Sequence, residues 1–174
     1  MVTTMPGTGI MVRRLAPNDV ELFRAVRLAG LQDSPNAFGE SFEIAQESDW
    51  HARTVSGSTL SDRAVYVALS GDRAVGMVFV KAATAPAPAF LGGMWVAPLF
   101  RRHGVGRSLI EQALEFLRAA RQVKVSLWVT SSHDDVARFY EGLGFSRTGE
   151  TSSLRDGSDL EIFELTRTLV ASAD

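Results

Sequence analysis

The sequence contains no cysteine among its 174 residues. This absence excludes disulfide bonds, thiolate metal sites and a cysteine nucleophile. Histidine is also scarce, because His51, His103 and His133 are the three in the chain. They are too dispersed to form a recognisable metal motif. We therefore predict a protein that uses no metal, and the lack of cysteine fits the reducing cytoplasm as its location.

The chain also lacks an excess of basic charge and a long uninterrupted apolar run. Its formal net charge is −2 at pH 7, whereas proteins that bind DNA or RNA mainly through phosphates usually carry a basic excess. The most apolar stretch, residues 74–100, contains Lys81, Pro86, Pro88 and the pair Gly92–Gly93, which no continuous membrane helix would combine. The sequence therefore argues against nucleic acid and membranes as partners.

What is present is enough apolar material for one compact domain. Hydrophobic residues make up 45% of the chain and charged residues 22%, so disorder is not expected. The length suits one domain and is short for two. No repeat, low-complexity tract or linker divides the chain. We predict a flexible tail over residues 1–9 and a single domain over residues 10–170.

Hydrophobic periodicity predicts strands and helices in mixed order along this domain. Strands are predicted over residues 10–15, 64–69, 74–82, 90–96, 124–130, 145–154 and 159–169. Helices are predicted over residues 18–33, 48–56, 104–121 and 133–144. The strand–helix–strand unit at 90–129 implies a parallel pair joined by a right-handed crossover, and hairpins lie before and after it. The pattern predicts a three-layer α/β domain with one internal parallel joint.

The segment VAPLFRRHGVGRSL, residues 96–109, places basic side chains and two glycines directly before an amphipathic helix. The first N–H groups of a helix have no intrahelical acceptor and carry partial positive charge, and glycine lets a bulky anion approach the backbone. A diphosphate suits such a helix entrance. A P-loop is excluded because Arg107–Ser108 follows Gly106, and a dinucleotide fingerprint is excluded because Leu109 replaces its third glycine.

The pattern that remains is Arg-x-x-Gly-x-Gly, formed by Arg101, Gly104 and Gly106 after Val96-x-Pro98. It resembles motif A of the GCN5-related N-acetyltransferases (GNAT), which bind the pyrophosphate of acetyl-CoA. Residues 127–145 resemble the later motif of the same family. The matching positions there are Tyr140, Glu141, Gly144 and Phe145, while His133 stands where the family frequently has asparagine.

The resemblance implies a GNAT-like α/β/α domain with a mixed, mostly antiparallel sheet. One parallel strand pair should splay apart to admit the pantetheine arm of acetyl-CoA, with a bulge at Gly92–Gly93 and Trp95 as a wall of the acceptor pocket. It further implies a set of residues that bind the cosubstrate through backbone or side-chain groups. These are Met94, Trp95, Val96, Arg101, Arg102, His103, Gly104, Val105, Gly106, Arg107, Ser108 and His133.

The implied activity is acetyl-CoA-dependent N-acetylation by direct attack of a primary amine on the thioester. Tyr140 is the candidate general acid, because a phenol beside the sulfur can protonate the leaving thiolate. The general base stays open among Glu40, Glu43, Glu47, His51 and His133. The acceptor is open between a small-molecule amine and a protein or peptide amine. A second hypothesis is a catalytically silent CoA-binding sensor, and pairing of the terminal hairpin between chains would give a homodimer.

Overall fold

The computed structural model describes residues 2–5, 7, 9–84 and 86–169. Residue 170, the predicted end of the domain, lies outside the described residues. The strands are β1 Val2–Met5, β2 Ile10–Arg14, β3 Arg63–Ser70, β4 Arg73–Lys81, β5 Ala89–Val96, β6 Lys124–Thr130, β7 Ser146–Ser153 and β8 Glu161–Thr168. The α-helices are α1 Val20–Asp33, α2 Phe42–Gln46, α3 Trp50–Thr59, α4 Val105–Ala119 and α5 Asp134–Glu141.

The strands form one sheet in the order β1-β2-β3-β4-β5-β6-β8-β7. All neighbours pair antiparallel except β5 and β6, which are parallel. The α4 crossover connects this pair, as the strand–helix–strand pattern predicts. In the described residues, β5 and β6 pair only at Ala89–Val125 and Phe90–Ser126. Beyond Phe90 the two strands diverge, which confirms the predicted splayed pair.

A β-bulge in β5 lies where the strands separate. Met77 of β4 is opposite Trp95, whereas Phe79 is opposite Gly92, so β5 contains an extra residue in this interval. Gly93 has a φ of 60°, a left-handed conformation that glycine adopts without strain. The bulge predicted from the Gly92–Gly93 pair is therefore confirmed.

Helices cover both faces of the sheet. Gly57 of α3 packs against Val65, so α3 lies on one face of β3. On the opposite face, α4 crosses β2 to β5 and Leu109 packs against Gly76. Leu109, Leu114 and Leu117 of α4 are almost completely buried. The predicted three-layer fold is confirmed, and no described helix has the length and apolar character needed to cross a membrane.

Two segments differ from the sequence prediction. Val2–Met5 forms a strand that pairs with Arg13–Ile10 of β2, so the prediction of a flexible tail is wrong there. This strand is four residues long and its residues are partly or fully exposed. It contains no apolar run from which the strand could be predicted. The second difference is α2, a single turn whose Ser41 side chain accepts a hydrogen bond from Ile44 N.

β7 forms one edge of the sheet and differs in character from the central strands. Every residue of Ser146–Ser153 is exposed. Its pairing with β8 shifts register between Arg147 and Thr151, and Gly149 within the shift has a φ of 92°. This edge therefore contributes backbone pairing but no apolar core to the domain.

Candidate active site

The entrance to α4 has the geometry of an anion site. Gly104 is the N-cap residue and adopts a φ of 83°, so it turns the loop sharply into the helix. Ser108 N donates to the Gly104 carbonyl over 3.0 Å, which makes Val105, Gly106 and Arg107 the first turn. Their N–H groups precede the first possible intrahelical bonds. Arg102 and Arg107 are exposed beside this turn, where their positive charge adds to that of the helix dipole.

Gly106 brings the two sequence motifs together. A Cβ at this position would lie 2.7 Å from Met94 Cε and 3.4 Å from Phe139 Cζ. The helix entrance therefore packs against β5 and α5 at once, and a side chain at Gly106 would displace the end of the Met94 side chain. The structure thus places the 96–109 segment directly beside the helix that carries Tyr140. Val105 contributes to this entrance only through its backbone, since its side chain is 1% exposed.

The side chain of Arg101 has partners within the protein. Its Nε donates to the Val96 carbonyl over 2.7 Å, and its Nη2 forms an ion pair with Asp33 at the end of α1. The Arg101 carbonyl in turn lies 2.7 Å from His103 Nδ1. Arg101 therefore fixes the loop to β5 and α1, a structural role that the sequence pattern did not predict.

Tyr140 lies between two phenylalanines at the end of α5. Its ring makes edge contacts with Phe139 at 5.2 Å and with Phe145 at 5.6 Å between centroids, and the residue is 5% exposed. Burial raises the pKa of the Tyr140 phenol far above its usual value. The phenol is therefore neutral across the physiological range and can only be a proton donor there.

The spacing of Tyr140, Gly144 and Phe145 at the end of α5 is explained by local backbone hydrogen bonds. The Tyr140 carbonyl accepts hydrogen bonds from Leu143 N and Phe145 N, and Gly144 between them has a φ of 82°. Such a left-handed residue commonly ends a helix and satisfies its last carbonyls. The Tyr-x-x-x-Gly-Phe spacing therefore fixes the packing of Tyr140 against Phe145.

His133 is the N-cap residue of α5. Its carbonyl accepts from Val136 N and Ala137 N at 3.1 Å, and the side chain makes no cap hydrogen bond. Its Nδ1 is 3.4 Å from Ser132 Oγ. The ring is partly exposed, so the position where the family frequently has asparagine is accessible to a ligand.

A cavity of about 420 Å³ opens on the α1 side of the splayed strands. Its floor is the bulge of β5, including Gly92 and Gly93, with Trp128 of β6 across the gap. Most of its wall is apolar or aromatic, and the charged residues that line it are Arg27 and Arg53. The volume lies in the usual range for small-molecule sites, about 300–1,000 Å³.

Glu40 joins the two arginines into one charged cluster. Arg27 donates to Glu40 Oε2 from Nη2 at 2.9 Å and from Nε at 3.1 Å. Arg53 donates to Glu40 Oε1 over 2.7 Å. The Arg27 guanidinium also lies 4.7 Å from the centroid of the Phe38 ring, and the residue is 8% exposed. Burial lowers the pKa of Arg27, but an arginine keeps its charge in a protein.

The sequence was compared with protein-family models, and the structure was compared with solved structures. The model of the acetyltransferase (GNAT) family matches residues 29–145, which include the helix entrance and Tyr140. The chain belongs to this family. No curated protein matches the sequence.

Solved GNAT structures share the fold at low sequence identity. Ribosomal-protein-S5-alanine acetyltransferase from Vibrio fischeri has a TM-score of 0.80 at 11% identity over 100% of both chains. A GNAT acetyltransferase from Streptococcus pneumoniae has a TM-score of 0.76 at 14% identity, covering 92% of this chain and 99% of its own. PaiA N-acetyltransferase from Thermoplasma acidophilum, in complex with coenzyme A, has a TM-score of 0.71 at 19% identity, covering 91% and 98%.

The contacts of Trp95 and Glu40 bear on two roles that were considered from the sequence. Trp95 is absent from the described lining of the cavity. It packs against Gly30 of α1 and donates from Nε1 to Asp33 Oδ2 over 2.9 Å, so it is a buried contact between strand and helix. Glu40 is unsuitable as a general base, because both of its oxygens accept from guanidinium groups.

The other candidate bases also lie outside the described lining of the cavity. Glu43, Glu47 and His51 are exposed residues of the α2–α3 region, and His133 lies at the start of α5. In the described part of this GNAT chain, the cavity lining therefore contains no carboxylate or imidazole.

The Glu40 cluster gives a pH-dependent contribution to stability. Partial burial raises the pKa of Glu40, but hydrogen bonds from Arg53 and Arg27 outweigh it and hold the pKa below its usual value. A carboxyl whose pKa is lowered by folding stabilises the protein above its unfolded pKa, about 4.3, and loses this effect as the pH falls through the lowered pKa. We expect Glu40→Gln to lower the free energy of unfolding by about 1.5–3 kcal/mol at pH 7.

Urea denaturation of both proteins between pH 7 and pH 3 measures this effect. The difference between wild type and Glu40→Gln should shrink below about pH 4. Glu47→Gln is the control, since Glu47 is exposed just after α2 and should cost less than about 0.5 kcal/mol. A deficit of Glu40→Gln that is the same at every pH would contradict the ion-pair explanation.

Proposed function

We propose that this GNAT protein is an acetyl-CoA-dependent N-acetyltransferase in which the amine attacks the thioester directly. The observation that carries the proposal is the convergence at β5. Met94 of this strand contacts the α4 entrance at Gly106, while Gly93, the preceding residue, lines the cavity on the other face. The anion site and the small-molecule cavity therefore lie on opposite faces of β5, at two consecutive residues.

The residues at the α4 entrance suit the diphosphate of CoA. The N–H groups of Val105, Gly106 and Arg107 offer oriented donors, and Arg102 and Arg107 supply charge. Main-chain groups of β5 beyond Phe90 that face β6 are available to the pantetheine arm, because the strands diverge there. The coenzyme A complex of the PaiA enzyme, which shares the fold, supports this assignment. In this proposal His133, at the start of α5, contacts the arm.

Acetyl-CoA would supply the activated acetyl group. In the reaction, the amine nitrogen forms a bond to the acetyl carbon and the carbon–sulfur bond breaks. The Tyr140 hydroxyl donates its proton to the departing sulfur and regains one from solvent, while the attacking nitrogen gives up its proton to water. A backbone N–H at the β5 bulge stabilises the negative charge that develops on the carbonyl oxygen. Holding both reactants across one strand supplies much of the acceleration.

Calorimetry and thiol release test this proposal. CoA should bind at least about 100-fold more tightly than pantetheine, which lacks the diphosphate. Acetyl-CoA with a panel of small amines and peptides should release free thiol. Binding of CoA without turnover of any amine would favour the silent sensor over the enzyme. Failure of both CoA and acetyl-CoA to bind would overturn the proposal at its first step.

A further inference from the structure

The charge of the cavity restricts the acceptor that can enter it. Its lining presents two guanidinium groups, Arg27 and Arg53, and the described lining includes no carboxylate. Glu40 forms ion pairs with both of these side chains and compensates for one charge only. An approaching ammonium group therefore meets repulsion, and neighbouring positive charge favours the neutral form of an amine. A polyamine, which carries several positive charges, suits this surface poorly.

The guanidinium of Arg27 has a donor group close to the β5 bulge. The hydrogen bonds that it gives to Glu40 use Nε and Nη2, and in the described residues none uses Nη1. This Nη1 lies against the β5 bulge, where a Cβ added to Gly93 would be 3.6 Å away. A largely buried guanidinium is a strong partner for a carboxylate, since it is charged, planar and weakly hydrated.

The rest of the cavity is apolar. Its walls include Phe23, Phe38, Phe79, Leu91 and Trp128. Such a surface binds a hydrophobic group by removing it from water. The combination of one desolvated cation with an aromatic wall is the complement of a molecule with a carboxylate and an apolar body.

We infer that the acceptor is a small amine that carries a carboxylate and an apolar body, as the apolar amino acids do. The inference rests on the proposed function and names its substrate class. In this arrangement the carboxylate accepts from Arg27 Nη1, the apolar body lies on the aromatic wall, and the amine faces the β5 bulge. The positive surroundings favour the neutral amine, which accounts for a cavity without a protein base.

Acetylation of matched pairs tests the inference. Leucine and phenylalanine are compared with leucinamide and phenylalaninamide by thiol release from acetyl-CoA. The carboxamides lose the negative charge, which lowers the pKa of the amine and increases the reactive fraction. We expect kcat/KM to be at least about tenfold higher for the amino acids nevertheless. Equal or faster turnover of the carboxamides overturns the inference and leaves the acetyltransferase proposal intact.

A binding measurement makes the inference independent of turnover. N-acetyl-leucine and N-acetyl-leucinamide are titrated by calorimetry into the protein with CoA present. Tighter binding of the carboxylate by at least about tenfold supports the inference, even if no thiol release has been detected. Equal binding, or no binding of either compound, overturns it.

Arg27→Gln isolates the side chain responsible. The variant should lose the preference for the carboxylate over the carboxamide, while the KM for acetyl-CoA stays within about twofold. Arg24→Gln is the matched control, because Arg24 is on the same helix and outside the described lining, and it should keep the preference. If the single variant is unstable, the double variant Arg27→Gln/Glu40→Gln is used. It removes the Glu40 carboxylate together with the guanidinium that pairs with it. Retention of the preference in both variants overturns the assignment to Arg27.

Discussion

Replacing Tyr140 by phenylalanine is expected to lower kcat by about 10²–10⁴-fold with little change in the KM for acetyl-CoA. The substitution removes one hydroxyl from a ring that is held by Phe139 and Phe145, so the packing of α5 is preserved. What is lost is the donor that protonates the sulfur. Because burial keeps the pKa of Tyr140 high, the wild-type rate should show no loss from its ionisation up to about pH 10. Steady-state kinetics on the best acceptor measure both effects.

The sequence offers a matched control for this variant, because it contains two tyrosines. Tyr66 is in β3 and is 8% exposed, so Tyr66→Phe makes the same chemical change in a buried ring outside the candidate active site. It should retain activity within about twofold. Full activity in Tyr140→Phe would remove Tyr140 as the acid, and an equal loss in both variants would point to a general effect of losing a buried hydroxyl.

The second large effect is expected from Leu109→Ala, which should lower the free energy of unfolding by about 2–5 kcal/mol. Leu109 is 0% exposed, and its Cδ1 lies 3.1 Å from the position a Cβ would occupy on Gly76. The side chain therefore fills the junction between α4 and β4. Truncation leaves a cavity that this rigid junction cannot close. Chemical denaturation measures the loss.

Leu99→Ala is the control for this substitution. Leu99 lies in the short 3-10 turn Pro98–Phe100 before α4 and is 87% exposed. Removing its side chain should change stability by less than about 0.5 kcal/mol. Comparable losses in both variants would show that stability at this end of α4 does not depend on the buried contact with β4.

The sequence predicts the regular part of the fold because periodicity reports burial directly. α4 is the best example, with Leu109, Ala113 and Leu117 at helical spacing and all fully buried. The β5 bulge is predictable as well, since two consecutive glycines within a strand mark a local irregularity. Local features of this kind depend on neighbouring residues, so a single sequence contains the information.

Features that depend on residues distant in sequence cannot be predicted from local patterns. The motif points to Arg101 just before α4, but its partner Asp33 lies 68 positions away in sequence. The Arg27, Glu40 and Arg53 cluster joins α1, the following loop and α3 in the same way. A charged residue among the apolar positions of α1 is the one available signal, and it does not say which carboxylate will meet it.

The exposed β7 edge has a consequence for how copies of this protein behave in concentrated solution. A free strand edge is a template to which another chain can add by main-chain hydrogen bonding. Here the register shift and the left-handed Gly149 break the regular spacing of the free donors and acceptors. The charged Arg147 and Glu150 side chains add hydrated groups that a second strand would have to displace. These features disfavour the addition of another strand at this edge, which argues against the homodimer through the terminal hairpin that was considered from the sequence.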